Sequence, residues 1–412
     1  MLKIVIKSKS STSVRKFWLN LVMLSLFRKD QVFSLLGVLL LSACNSFSSE
    51  FVGVEPLGVH PNGNVFIGME SCKECHLDIV NSHLSTSHWL TSSKVRSDNL
   101  VPFLNVNTNS FFLEDNTEVR FTSINDSIYQ QVYNPPYQTP FFSKSLDVVI
   151  GSGTKVGYSF LSWEKSSLFQ LQGSFYKPNL NWINSPGYPS KFQAFRPIYP
   201  RCLECHVTYS QSENWESPIV NNRYNKNNIV FGIDCQRCHG PVLEHVKYHR
   251  ENQYDKKAKK IIKFADLTQQ QRLDVCALCH SGVRSNINQP AFSFEVGDLL
   301  DNYLSPQVTG EPDVHSNQVG LLLKSNCFIE SEKMDCMTCH DPHSDEKNNM
   351  VKFNNRCIEC HQNKEHIRFK TNQNSDCVGC HMPYRESNIM KIQINPDSIK
   401  SVMIRTHKID IY

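Results

Sequence analysis

"CQRCHGPVLEHVKYH" (235–249) holds two cysteines and three histidines in fifteen residues. A C-x-x-C pair has three readings: a zinc knuckle, a redox dithiol or a covalent haem site. The residue after the second cysteine separates them. C-x-x-C-H is the attachment pattern of c-type haem, where two thiols bond the porphyrin and the adjacent imidazole ligates its iron. In this stretch those residues are Cys235, Cys238 and His239.

The pattern recurs at Cys72, Cys75 and His76, at Cys202, Cys205 and His206, and at Cys276, Cys279 and His280. It recurs again at Cys336, Cys339 and His340, at Cys357, Cys360 and His361, and at Cys377, Cys380 and His381. Seven copies use fourteen of the sixteen cysteines. Zinc sites do not need a histidine after every second cysteine, and a disulfide framework would not fix every pair at spacing three. The expectation is seven covalent haem c groups, with His76, His206, His239, His280, His340, His361 and His381 as proximal iron ligands.

The N-terminus carries an address. Arg28 and Lys29 precede the apolar run 32–41, which ends in Leu41-Ser42-Ala43-Cys44. This resembles a bacterial lipobox, with Cys44 as the lipidated residue, and the run is too short to span a bilayer. Met23 would be a more ordinary start than Met1 for such a signal. Covalent haem attachment of this type takes place outside the cytoplasmic membrane in bacteria. The expected location is therefore the cell envelope, lipid-anchored at the outer membrane or on a periplasmic face; Asn45 after the cysteine favours the outer membrane by the enterobacterial sorting rule. Cleavage before Cys44 removes seven Lys/Arg and one Asp, so 43 basic and 39 acidic side chains become 36 and 38, and the formal charge turns from +4 to −2. Haem propionates make the holoprotein more acidic still, which argues against nucleic-acid binding.

Five regions follow: a signal peptide (1–43), a tether rich in Ser, Gly, Asn and Pro (44–68), a first haem segment (69–99), a β-rich insert (100–195) and a six-haem domain (196–412). The insert reads as antiparallel strands because 111–134 alternates apolar and polar residues around turn signals at Asp115-Asn116 and Asn125-Asp126, and 146–163 and 167–176 continue the pattern. Gly151-x-Gly153 lacks the spacing of a dinucleotide loop and reads as a turn or bulge. The expected fold class is thus a multihaem cytochrome c, with a mostly irregular and α-helical haem-packing core and an inserted antiparallel β-rich region. Helices are expected at 242–262 and 268–280.

Nine histidines remain for the distal side of the irons. His245 and His249 lie one helical turn apart on one face, and His245 stands too near His239 in sequence to share its iron. Cys235 to His245 resembles the motif of the cytochrome c554-type multihaem proteins. So do "ECHLDIVNSHLSTSHW" (74–89), "CHDPH" (339–343) and "CHMP" (380–383) with the later "RTHKI" (405–409). That resemblance, over 69–90 and about 200–410, implies distal ligation by His88, His245, His343 and His407; "DVHSNQ" (313–318) adds His315. His83, His249, His366 and His60 are the weaker candidates. Met334 and Met382 read as packing residues, and Cys327 as a buried free thiol.

Closed bis-His haems move electrons and bind no substrate. The reading is an electron carrier in a membrane-attached respiratory chain, exchanging electrons with redox partner proteins, with the β-rich region as a docking element for a complex subunit. The alternative is an oxidoreductase of a small nitrogen or sulfur compound at one five-coordinate haem. No motif replaces its histidine by the lysine that marks pentahaem nitrite reductases, and no residue is assigned a catalytic role.

Overall fold

The computed structural model describes residues 56–59, 63–96, 104, 109–153, 156–213, 221–286, 289–306, 310–361, 376–395 and 398–412. The signal segment, Cys44, His60 and His366 lie outside the described residues. All described residues fall in one unit, Val54–Tyr412.

The alternation in 111–134 produces strands β4 (Ser110–Phe112), β5 (Glu118–Ile124) and β6 (Ser127–Tyr133), and β7 (Phe142–Ser145) completes an antiparallel sheet in that order. Asn125 and Asp126 both take positive φ, 47° and 60°, the geometry a two-residue hairpin turn requires. The turn fixes the register Ile124↔Ser127, which sends Val119, Phe121, Ile128 and Val132 to one buried face.

A larger sheet backs this one. Its central strands are β8 (Val148–Ile150), β9 (Gly157–Glu164), β10 (Ser167–Tyr176) and β11 (Asn181–Asn184). Gly151 and Gly153 form the link from β8 to β9 with φ of 107° and 65°. Period-two alternation makes the sheet two-faced. Val149 and Phe160 pack with Phe121, Ile128 and Val132 of the smaller sheet. Val148 and Leu161 pack with Leu203, Val207 and Tyr224 on the motif-bearing side. Trp182 centres the first core, stacked on Phe121 with ring centroids 3.6 Å apart. Glycine is needed at 173 because a Cβ there would meet Phe121 Cζ at 2.1 Å.

The expected helix-dominated haem core with strands confined to an insert is overturned. Among the described residues strands are as prominent as helices, with antiparallel sheets of eight and four strands. The reason lies in which segments join the sheets. Strand β3 (Ser92–Lys94) pairs with β8, so the first motif segment feeds the large sheet. The hairpin β15 (Tyr384–Asn395) and β16 (Ser398–Arg405) extends it from the C-terminal end through Asn184↔Gln393. Asn184 Nδ2 donates to Gln393 Oε1 at 3.0 Å.

The motif-bearing side is built from short helices and loops. The helix Gln269–His280 starts at Thr268 through a capping box with Gln271 and buries Leu273, Ala277 and Leu278. The helix expected over 242–262 spans only Leu243–Glu251. Lysines at 256, 257, 259 and 260 would repel at helical spacing, and Asp255 Oδ1 instead accepts the Lys257 N–H at 2.9 Å in a turn. The helix Met350–Cys360 buries none of its residues, so side chains alone give it no core.

Trp182→Ala should leave a void among Phe121, Phe160 and Phe175 and cost about 3–5 kcal/mol. The guanidinium midpoint of the holoprotein should fall, while its visible absorption spectrum stays unchanged below that midpoint.

Candidate functional site

Each C-x-x-C-H copy sits on a helical turn or at a helix end, where residues three apart share a face. Three copies follow an aspartate that caps the turn. Asp234 accepts from Gln236 N–H at 2.8 Å, Asp335 from Thr338 N–H at 3.1 Å and Asp376 from Gly379 N–H at 2.9 Å. A buried aspartate before a motif costs desolvation, and burial pushes the Asp234 carboxyl up to about 6.

One connected cavity of about 2710 Å³ runs among these turns. It is several times the ~300–1,000 Å³ of a pocket for one small ligand. All seven motif histidines and every motif cysteine except Cys380 line it. So do His83, His88, His245, His249, His315, His343 and His407. His88, His280, His340 and His343 carry large accessible areas; the cavity they line accounts for the faces they present.

Ring spacing tests whether these residues fit iron. Two imidazole nitrogens on one metal, each ~2 Å from it, place their ring centres about 6 Å apart. The structure sets His88 and His280 at 6.2 Å, His239 and His343 at 6.1 Å, and His340 and His407 at 6.1 Å between centroids. Each pair joins one motif histidine to one histidine outside the motifs. His315 is the imidazole that acts electrostatically on His206, while His245 and His249 both act on His76. Burial, with neighbouring imidazoles adding, pushes His88, His206 and His239 down to about 4. They are therefore neutral near pH 7, the form that ligates a metal.

Ring hydrogen bonds sort the remaining candidates. His245 Nδ1 meets the Lys259 carbonyl at 2.6 Å, and His381 Nδ1 meets the Asp410 carbonyl at 2.8 Å. Each arrangement leaves Nε2 for a metal. Nε2 of His249 is buried with no hydrogen-bond partner among the described residues. His83 is different: Nε2 faces the Ile233 carbonyl at 2.8 Å and Nδ1 the Pro342 carbonyl at 3.3 Å. With both nitrogens taken by backbone, His83 is a strut between segments. Arg237 Nε and Arg356 Nε are also buried without partners among the described residues, on cavity-lining side chains. They suit carboxylates such as haem propionates. The half-buried Cys327 thiol lines the cavity too, near Cys339 and Cys360.

Sequence order does not give the spatial order of the motifs; the thiols do. Thiols of different motifs lie close enough to act on one another in four pairs: Cys72 with Cys235, Cys205 with Cys279, Cys276 with Cys336, and Cys357 with Cys377. Cys238 adjoins Cys276, and Cys339 adjoins Cys357 and Cys360. The motifs therefore run first, third, fourth, fifth, sixth, seventh, with the second branching off the fourth.

Residues 190–240, which hold the second and third motifs, match the family described as cytochrome c554 and c-prime. Residues 331–366, which hold the fifth and sixth, match the doubled CXXCH motif. No curated protein matches the chain. Among solved structures the chain is similar in fold to the outer cell wall cytochrome OcwA, with a TM-score of 0.53 and 15% identity, covering 84% of this chain and 79% of that one. The repeated motifs, the cavity and these matches define the class: the chain is a multihaem c-type cytochrome carrying covalent haem. Within that class it resembles the cytochrome c554 and c-prime group over two motifs and OcwA in fold.

Replacing His88, His343 or His407 by Ala should each turn one iron from low to high spin, read by electron paramagnetic resonance of the oxidised holoprotein. His83→Ala should leave every iron low spin and lower stability by about 1–3 kcal/mol, because the buried Ile233 carbonyl loses its imidazole partner.

Proposed function

We propose that this chain is a seven-haem electron carrier whose irons are mainly closed by two histidines each. The observation that carries the reading is the 6.1–6.2 Å spacing of the His88–His280, His239–His343 and His340–His407 pairs. Bound haem supplies a one-electron iron couple. The protein's own work is positional. His88 with His280, His239 with His343 and His340 with His407, brought from distant segments, would hold three of the irons and leave them no position for substrate. Thiols of adjacent motifs in contact bring neighbouring porphyrins close together. Arg237 and Arg356, each lining the cavity with a buried Nε that has no partner among the described residues, are placed to meet propionate charge.

The proposal extends to the chain's setting. A lipid on Cys44 would hold it at the cell envelope, on the outer membrane or a periplasmic face, within a respiratory chain. Redox proteins are its partners, and the β-rich region offers a complex subunit a rigid surface. What supports the setting is the lipobox-like run before Cys44 and the chemistry of covalent haem attachment.

The test is a low-temperature paramagnetic resonance spectrum of the oxidised protein, with intact mass measured alongside. Seven added haems and only low-spin signals, unmoved by nitrite, hydroxylamine or cyanide, are expected. A high-spin signal that shifts with one of these would replace the carrier by an oxidoreductase. Cys44→Ser should move the protein from the membrane to the soluble envelope fraction with its haems intact.

A further inference from the structure

The segment 252–263 leaves the helix Leu243–Glu251 without regular structure and carries five exposed lysines in eight residues, at 256, 257, 259, 260 and 263. The chain as a whole is nearly balanced, with 43 basic and 39 acidic side chains, so this cluster is local. Among the described residues, no ion pair engages any of the five ammonium groups. The nearby Asp255 is already held by Tyr248 Oη and the Lys257 N–H, each at 2.9 Å. Tyr254, at the head of the cluster, is 98% exposed.

The position of this loop matters as much as its charge. Its Lys259 carbonyl holds Nδ1 of His245 at 2.6 Å, and His245 is one of the two imidazoles acting on His76. Lys256 and Lys263 stand on the cavity wall. The first motif, to which His76 belongs, ends the spatial run of motifs traced by the thiols. A positive, exposed rim therefore surrounds a terminal redox group, with an exposed aromatic at its edge of the kind that anchors interfaces.

We infer that the lysine loop is the port at which an acidic redox protein docks and exchanges electrons through the first motif. The inference rests on the carrier reading. Complementary charge steers such encounters and fixes orientation, and its effect fades with salt. A lipid surface would also meet lysines and a tyrosine, but lipid holds no redox group for the haem that this rim surrounds.

The test uses the full-length holoprotein and polyglutamate as the acidic probe. Calorimetry at low salt should show binding that weakens steeply as salt is added, and a variant carrying K256E, K257E, K259E, K260E and K263E should bind about 10-fold or more weakly. The corresponding Lys→Gln set should fall between them and serves if charge reversal prevents folding. Oxidation of the reduced protein by ferricyanide should slow in the variants, while oxidation by the cationic hexaammineruthenium(III) should not. Equal polyglutamate binding by wild type and variants would overturn the inference. So would an unchanged ferricyanide rate, or binding to vesicles of phosphatidylcholine doped with phosphatidylserine but not to polyglutamate. A high-spin iron in the resonance spectrum would instead strike the carrier reading and leave the binding results standing.

Discussion

An iron held between two imidazoles would be a cross-link, and the ring pairs on the motif-bearing side of this protein are spaced to make such links. The rings that face each other at 6.1–6.2 Å come from segments far apart in sequence: His88 meets His280, His239 meets His343, and His340 meets His407. Each such link would close a long loop, which costs chain entropy that weak packing would not offset. The packing here is weak by design of the sequence. The helix Met350–Cys360 buries nothing, and the apolar cluster under the third motif consists of Ile67, Val242 and Val246. Bound porphyrins would supply the missing core, as large apolar faces for the short helical turns to pack against. Folding and haem loading would thereby be linked, because a group that binds only the folded arrangement stabilises it.

The β structure solves the opposite problem. Sheets hold themselves by side-chain packing and need no cofactor. The large sheet buries Val149 and Phe160 on one face and Val148 and Leu161 on the other, so it serves as a wall with one dry side and one side facing the motifs. Glu204, in the second motif, shows how the wall reaches the site. Its carboxylate accepts from the Phe292 N–H at 2.6 Å and from Arg201 at 3.0 Å, and Phe292 belongs to the apolar cluster on the motif-facing side of the sheet. Strands β3, β15 and β16 tie both ends of the motif region to this wall.

The covalent chemistry was fully legible, since five residues in a row specify it. The strands of 111–134 and 146–176 were legible too, because alternation and turn residues agree. The broader architecture was not. "YRESNIMKIQIN" (384–395) alternates apolar residues late in the segment, yet it lies between a motif and a ligand candidate, and its pairing with Asn184 is a long-range fact no local pattern carries. Histidine roles divide along the same line. A motif places His76 or His239 beside its own cysteines, whereas His83 and His88 were told apart only by resemblance, and what faces their nitrogens separates them in the structure. Asp234, Asp335 and Asp376 before three motifs were a readable capping signal that the cysteine pattern overshadowed.

The branched order of the motifs follows from the wall. After the first motif the chain leaves through β3, builds both sheets and returns only at the second motif. On return it enters from the sheet side, where Leu203 packs under Leu161 and Leu168. The place beside the first motif has by then been set for the third, whose Cys235 meets Cys72. The second motif adjoins the fourth through Cys205 and Cys279, and its Glu204 carbonyl accepts from Arg237 Nη2 of the third at 2.8 Å. Motifs three to seven, joined by shorter connections, then follow in register with the sequence because none of those connections leaves to build a sheet. A long excursion in the chain thus becomes a branch in space, and the terminal position of the first motif is a consequence of where the β structure was placed.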